Sequence, residues 1–303
     1  MNLVVGVDAG GTASRAVVAT LSGEVVGRGV AGPGNPISSG PAAALAVGAA
    51  LRDALSTVDP SEVVGGVLGL AGTSAVSAPT IATAFADMWA GLGLSCPMRI
   101  VGDVVTAFAG GTPSPSGSVL IAGTGAIAAR LENHEIVAEA DGLGWLLGDE
   151  GSGRWIGLQA LRHAVRDWHS PFAKSVAAHA GATSPDDLVA WAQSLPLADI
   201  DALSPVVCTA ARAGDPTAHT IVTAAVSCLL TTLDVATAAP GPVVLAGGLL
   251  SGDTLVRDGV LAALDARHVP TGTSRDPAAA AAWLAARPLT PRDHNELHAA
   301  LLG

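Results

Sequence analysis

Residues 3–18 read LVVGVDAGGTASRAVV. Leu3, Val4, Val5 and Val7 make an apolar run, Asp8-Ala9-Gly10-Gly11-Thr12 interrupts it, and Ala16, Val17 and Val18 resume it. The pattern predicts a β-hairpin closed by a tight glycine turn. Glycine has no Cβ, so the amides of such a turn can close on phosphate oxygens, with the Thr12 hydroxyl beside them. Asp8 falls at the strand end, where a magnesium ion can be held through its waters.

A second stretch repeats the arrangement. Val119-Leu120-Ile121-Ala122 leads into Gly123-Thr124-Gly125 and out through Ala126-Ile127-Ala128-Ala129. Either hairpin alone is as readily an ordinary turn whose glycines supply positive φ. Two in one chain can grip a triphosphate from both sides, and two further segments follow in order: Gly102-Asp103 after the apolar Arg99-Ile100-Val101, and Ala246-Gly247-Gly248 after Val243-Val244-Leu245.

This ordered set resembles the superfamily of actin, the heat-shock chaperone ATPases and the sugar kinases. Within it, LLGDEGSGRWIGLQAL at 146–161 resembles the signature of the BadF/BadG and N-acetylglucosamine kinase family, with a likeness to actinobacterial glucosamine kinases. The resemblance runs from residue 3 to about residue 284. It implies an α/β chain with a two-lobed, actin-like (ribonuclease H-like) fold and a nucleotide cleft between the lobes. It further implies ATP and Mg2+ as cofactors, with Asp8, Gly10, Gly11, Thr12, Gly123, Thr124, Gly125, Gly247 and Gly248 on the nucleotide and Asp8 holding magnesium through water. Asp103 matches the family's catalytic aspartate, and Asn35 its sugar-binding asparagine. The chain departs from the family at Gly102, where Asn is usual, and at Leu143, where Trp is frequent.

Composition bounds the rest. At 303 residues the chain is long enough for two cores. Half the residues are hydrophobic but only 3% aromatic, so Ala, Val and Leu must build those cores. Apolar runs such as residues 42–51 are too short to cross a bilayer, and the chain opens on a strand rather than a basic segment with an apolar core, so a cytoplasmic protein without membrane contact is expected. A net charge of −11 argues against a nucleic-acid partner. Cys96, Cys208 and Cys228 are scattered and lack a C-x-x-C pair, which suits small core residues and not the iron–sulfur cluster carried by dehydratase-activating members of the family. Zinc spacing, a G-x-S-x-G elbow and a P-loop are all missing.

Along the chain, strands at 3–7, 14–20 and 24–30 form a meander, followed by helix 42–57, strand 63–70, helix 79–90 and strand 99–101. The GGTPSPSGS stretch (110–118) is the linker. The expected lobes are residues 1–112, joined by a last helix at 290–303, and residues 113–289, which keep the alanine-rich helix from Pro277. Helices dominate from Arg154 to Ala239, with Pro171, Pro185, Pro196, Pro205 and Pro216 as breaks.

Phosphoryl transfer to an alcohol needs positioning, charge neutralisation and a carboxylate to accept the hydroxyl proton. Asp103, at a strand end, suits that base, though Asp there also commonly caps the next helix. The amide of Asn35 offers a sugar hydroxyl both a donor and an acceptor, although Asn between Gly and Pro is more often a turn former. Asp149 and Glu150, among glycines and the apolar Trp145, Leu146, Leu147, Trp155 and Ile156, are expected to be partly buried and to meet sugar hydroxyls or an ammonium. Asp141 would complete a carboxylate cluster favouring a free amine, and Ile37 points the same way. The expected activity is therefore ATP-dependent phosphorylation of an amino sugar at its 6-hydroxyl, glucosamine first. The alternatives are an N-acetylglucosamine kinase or a non-catalytic activator or sensor ATPase on the same fold. The partner is a small molecule, and a homodimer is compatible with such a chain.

Overall fold

The computed structural model describes residues 2–195, 197–237 and 241–303. The expected break at Pro196 and the end of the helical region near Ala239 lie outside the described residues. The chain divides into two compact units, one made of Met1–Pro115 with Ser274–Gly303, the other of Ser116–Thr273.

In the first unit, β1 (Leu3–Ala9), β2 (Ser14–Thr20) and β3 (Val25–Ala31) form the expected antiparallel meander. Helices α1 (Pro36–Ser39) and α2 (Ala43–Ala54) lead to β4 (Val63–Leu70), and α3 (Pro79–Gly91) leads to β5 (Met98–Gly102) and α4 (Asp103–Ala109). β4 runs parallel to β1, and β5 parallel to β4, giving the order β3-β2-β1-β4-β5. The second unit builds β6 (Gly117–Ala122), β7 (Ala126–Glu132) and β8 (Glu135–Asp141). A helical stretch follows: α5 (Gly153–Arg166), α6 (Pro171–Ala180), α7 (Pro185–Gln193), α8 (Leu197–Asp201), α9 (Leu203–Arg212) and α10 (Pro216–Ala236). Then come β9 (Val243–Ala246), α11 (Gly248–Ser251), α12 (Leu255–Ala266) and β10 (Thr271–Thr273). Its sheet is ordered β10-β9-β6-β7-β8, with β6–β7 antiparallel and β6–β9 parallel. Read from the meander inward, both sheets follow one plan. The chain then returns to the first unit as α13 (Pro277–Ala286) and α14 (His294–Leu302).

Proline starts helices here more often than it breaks them. Pro171, Pro185 and Pro216 occupy the first helical position behind Ser170, Ser184 and Asp215, each of which accepts a backbone N–H in its helix's first turn. Pro205 departs from the expected break and lies in the first turn of α9, where its missing N–H has no helical partner to lose. α10 is long and apolar enough to cross a membrane by length and composition, contrary to the expectation that no run reaches that length. One face of it, with Ile221, Val222, Ala225, Leu229 and Leu233, lies in the core of the second unit.

The alanine-rich helix corrects the expected lobe boundary, for it belongs to the first unit. Ala278–Ala286 are all buried, so α13 is covered on every side, packed on β1, β2 and β4 and against α4 and α14. A Cβ on Gly6 would lie 2.1 Å from the Ala282 nitrogen and 2.2 Å from the Ala278 oxygen. Glycine in the central strand and alanine on the helix thus let two backbones meet almost directly. Trp283, fully buried, donates its indole N–H to the His294 carbonyl at 3.0 Å and ties α13 to α14. Gly6→Ala should destabilise the first unit by about 3 kcal/mol or more, because backbone on both sides prevents relief by side-chain rotation. Urea unfolding will show it as a lower midpoint or as loss of soluble protein, and wild-type stability would contradict this packing.

Candidate functional site

In the first unit, the Asp8–Thr12 turn leaves the end of β1 in the predicted way. The Gly10 amide donates to the Ala13 carbonyl at 3.0 Å and closes the turn. The loop that carries Asn35 is fastened beneath it: the Gly34 amide donates to the Gly10 carbonyl at 3.0 Å, and the buried Ser14 hydroxyl donates to the Gly32 carbonyl at 3.0 Å. Gly34 has no room for a side chain, since a Cβ would lie 2.3 Å from the Ser14 oxygen. Asn35 itself caps α1, its Oδ1 accepting the Ile37 N–H at 2.8 Å. The cap uses the amide oxygen, which leaves the NH2 as the group available to a ligand and narrows the donor-and-acceptor role expected of it.

Asp103 is the first residue of α4, and the cap position falls to Gly102, which has no side chain to offer. The helix begins directly on the strand end and holds an acidic group in its first turn, where the helix dipole favours one. The Thr106 hydroxyl donates to the Asp103 carbonyl at 3.0 Å, and the buried Thr106 side chain fills the space that a Cβ on Gly69 would need. Asp103 and Asp8 feel each other's charge. Burial first, then Asp103 and Asp276, push the Asp8 carboxyl up to about 6, with Arg15 opposing.

The second unit assembles its own glycine-rich end at the C-terminal edge of the parallel pair β6 and β9. The Gly123 amide donates to the Gly125 carbonyl at 2.9 Å, and the Gly153 amide, at the start of α5, donates to the Gly123 carbonyl at 2.7 Å. Gly247 follows β9 with φ 81° and precedes Gly248, the first residue of α11. Such strand ends are where open α/β sheets take ligands.

The glycines divide into two kinds. Gly125 and Gly247 are required by the fold: a Cβ on Gly125 would lie 2.9 Å from Asp149 Oδ1, and one on Gly247 would lie 2.4 Å from the Ala122 oxygen. Gly10, Gly11, Gly123 and Gly248 have no positive φ, and a Cβ would meet no atom closer than 3.8 Å. The ordinary-turn reading, in which glycine only supplies positive φ, therefore does not account for them. Backbone left bare toward open space is what a closely approaching phosphate needs.

The GDEGS segment differs from expectation. Asp141, at φ 64°, accepts the Asp149 amide on Oδ1 at 2.7 Å and the Glu150 amide on Oδ2 at 2.9 Å. Each of its oxygens thus takes part in folding the loop, with one acceptor position on each left over. Asp149 is half-buried and its Oδ1 accepts the Ala126 amide at 3.0 Å, which pins the loop against the Gly123–Gly125 turn. Burial raises its pKa, while that hydrogen bond opposes the shift. Glu150 is exposed, contrary to the partial burial expected of the pair. Leu146 and Leu147, 76% and 78% exposed, do not cover it. Trp145, Trp155, Arg162, Asp149 and Glu150 border a cavity of about 180 Å3 in this unit.

A larger cavity, about 430 Å3, lies within the first unit beside Asp8, with Arg15, Arg28, Arg275 and Asp276 on its wall. None of these four was singled out from sequence. The signal was available in the hairpin: the turn length pairs Asp8 with Arg15 directly across β1 and β2.

Two sheets of one strand order, each with a glycine turn after its first strand, define the actin-like class of fold that sugar kinases use. Residues 5–281 match the BadF/BadG/BcrA/BcrD ATPase family, and the chain belongs to that family. It is 30% identical over 188 residues to an N-acetylmuramic acid/N-acetylglucosamine kinase of Clostridium acetobutylicum, a match spanning 58% of each chain. It is 28% identical over 234 residues to the glucosamine kinase GspK of Vibrio cholerae, covering 72% of this chain and 74% of that one. Among solved structures, a candidate N-acetylglucosamine kinase of Chromobacterium violaceum superposes with a TM-score of 0.74 at 26% identity, over 94% of this chain and 99% of its own.

The raised Asp8 makes a prediction about stability. The folded chain holds this proton more tightly than the unfolded chain, so the contribution favours folding below pH 3.8 and is lost as pH rises through about 6. Above that pH the charged carboxylate costs about 3 kcal/mol. Asp8→Asn, neutral at every pH, should therefore stabilise the metal-free protein by up to about that amount at pH 8, with the gain shrinking below pH 6 and gone near pH 3.5. Urea unfolding across this range checks it, and a variant less stable than wild type at pH 8 would refute it.

Proposed function

We propose that this protein is an ATP-dependent kinase that phosphorylates an amino sugar at its primary hydroxyl, with glucosamine as the first substrate. The observation that carries the reading is the bare backbone at Gly10, Gly11, Gly123 and Gly248, four turn or strand-end glycines that neither φ nor packing requires. Family membership and the names of the relatives support it. In this reading Asp8 holds Mg2+ through water, the turns at Gly10–Thr12 and Gly123–Gly125 take the phosphates, and Gly247–Gly248 take the adenosine side. Magnesium supplies charge neutralisation for the transferring phosphoryl group. Asp103 accepts the proton of the sugar hydroxyl as its oxygen bonds to phosphorus, and ADP leaves with the electrons of the broken O–P bond. The Asn35 NH2, Asp149 and Glu150 orient the sugar.

A second reading, N-acetylglucosamine, is favoured by one observation. Both oxygens of Asp141 already accept loop amides, which reduces its share in an ammonium site and leaves Asp149 and the exposed Glu150 as the first carboxylates to meet one. A single charged hydrogen bond gives about a tenfold to hundredfold preference, so glucosamine should lead N-acetylglucosamine in kcat/KM by about that margin.

An ADP-release assay over glucose, glucosamine, N-acetylglucosamine, N-acetylmannosamine and mannose tests both readings. Equal or better turnover of N-acetylglucosamine would transfer the assignment to the second, and ATP hydrolysis with no sugar dependence would remove both in favour of an activator or sensor ATPase. Asp103→Asn should lower kcat by about 10²–10⁴-fold with KM values for sugar and ATP within a few-fold of wild type, the pattern of a group acting only in the transition state. A variant with near wild-type kcat would reduce Asp103 to an acidic residue in a helix's first turn.

A further inference from the structure

Asp141 ends β8, paired with Ile127 of β7, where the chain turns into the loop that carries Asp149 and Glu150. Its side chain reaches forward along that loop. Oδ1 accepts the Asp149 amide at 2.7 Å and Oδ2 the Glu150 amide at 2.9 Å, so one carboxylate grips two successive N–H groups. The loop is also tied back to β7 through Ala126, whose amide donates to Asp149 Oδ1 at 3.0 Å and whose carbonyl accepts the Gly142 amide at 2.9 Å. On the far side it rests on α10. A Cβ on Gly151 would lie 2.6 Å from the Ala225 oxygen, and the Cys228 thiol donates to Glu150 Oε2 at 3.9 Å.

Gly148 shows how closely the grip is fitted. A Cβ there would lie 2.2 Å from Asp141 Oδ1, while Gly148 itself is outside the left-handed region, so the carboxylate and not the backbone excludes a side chain. Asp141 holds this position against two costs. It sits at φ 64°, and its charge faces another: burial raises the Asp149 carboxyl most, the Ala126 hydrogen bond opposes that, Asp141 adds to the rise and Arg154 counters it. Arg154 is held in turn by Asp201, its Nε and Nη2 each donating at 2.7 Å. A strained, like-charged residue kept in place by its surroundings points to a role in what it fixes. What it fixes are the two carboxylates assigned to the sugar.

We propose that Asp141 is a positioning residue for the sugar, holding the amides of Asp149 and Glu150 so that their carboxylates are aimed, and making no contact with the sugar's 2-substituent. This rests on the kinase reading and deepens it, because it separates the shape of the sugar site from its preference for an amine. Charge-assisted hydrogen bonds such as those Asp141 accepts are worth about tenfold to a hundredfold each.

The test is steady-state kinetics of the full chain with glucosamine and with N-acetylglucosamine, in two variants. Asp141→Asn keeps the size and the tolerance of positive φ but turns an NH2 toward one of the amides. Gly148→Ala leaves the charge in place and pushes the carboxylate off its partners. Each should lower kcat/KM for both sugars by the same factor, about tenfold to a hundredfold, through KM, with kcat and the KM for ATP within a few-fold of wild type. If Asp141→Asn weakens glucosamine alone, the carboxylate meets the ammonium directly and the proposal is overturned. Unchanged KM for both sugars in both variants also overturns it and leaves the kinase reading standing. So does a joint loss of kcat and of both sugar and ATP KM with a lowered melting temperature, which marks a loosened unit instead. Whatever the solubility of the variants, NMR of the wild-type protein should show slow hydrogen exchange at the Asp149 and Glu150 amides, and fast exchange at both would refute the grip. A wild-type protein that phosphorylates no sugar would remove both the kinase reading and this one.

Discussion

The first unit depends on how closely one helix approaches one strand. α13 lies with its backbone against β1 at Gly6, and no side chain separates them. Everything at the candidate site in this unit hangs from the elements so joined. β1 ends in Asp8 and the glycine turn, β2 carries Arg15, and α4, whose first residue is Asp103, packs against the same helix. Asp276 caps α13 and grips Arg28. A run of alanines is a weak packing element by area, since each buries little. Here its value is shape, because small side chains allow the strand ends to be fixed by backbone rather than by flexible rotamers.

The second unit reaches a similar end by other means. Its loop after β8 carries no regular structure from Gly142 to Ser152, yet both oxygens of Asp141 and one of Asp149 accept backbone amides, and three hydrogen bonds set the course of the loop. Asp141 and Asp149 both take positive φ, a conformation in which Asp is more at ease than most residues. The acidic stretch that looks like a charge cluster along the sequence is in good part a hydrogen-bonding scaffold. Of its three carboxylates, Glu150 alone is exposed.

Much of this was legible in the residue order. The meander β1–β3, the strand Val63–Leu70 and the glycine turns followed from apolar alternation broken by Gly and Asp, signals that depend only on neighbours in the chain. The destination of the Pro277 helix was not legible. Its burial on all sides says only that it is interior, and the Gly6 contact that assigns it to the first sheet joins residues far apart in sequence. Arg15 was overlooked although its position follows from the hairpin register. The exposure of Glu150 is not legible either, because Leu146 and Leu147 look like cover along the sequence, whereas Leu in a loop does not have to face inward.

The route of the chain carries a further consequence for how the molecule is made. The second unit is one uninterrupted stretch, Ser116–Thr273, while the first is written in two pieces on either side of it. A ribosome therefore delivers all five strands of the first sheet early and its covering helix only after the whole second unit has emerged. During that interval the Gly6 face of β1, bare by design, has nothing in its own unit to bury it. The second unit can close as soon as it is complete, but the first must wait for residues 274–303, so the stretch that finishes the Asp8 and Asp103 scaffold is made only after the whole second unit.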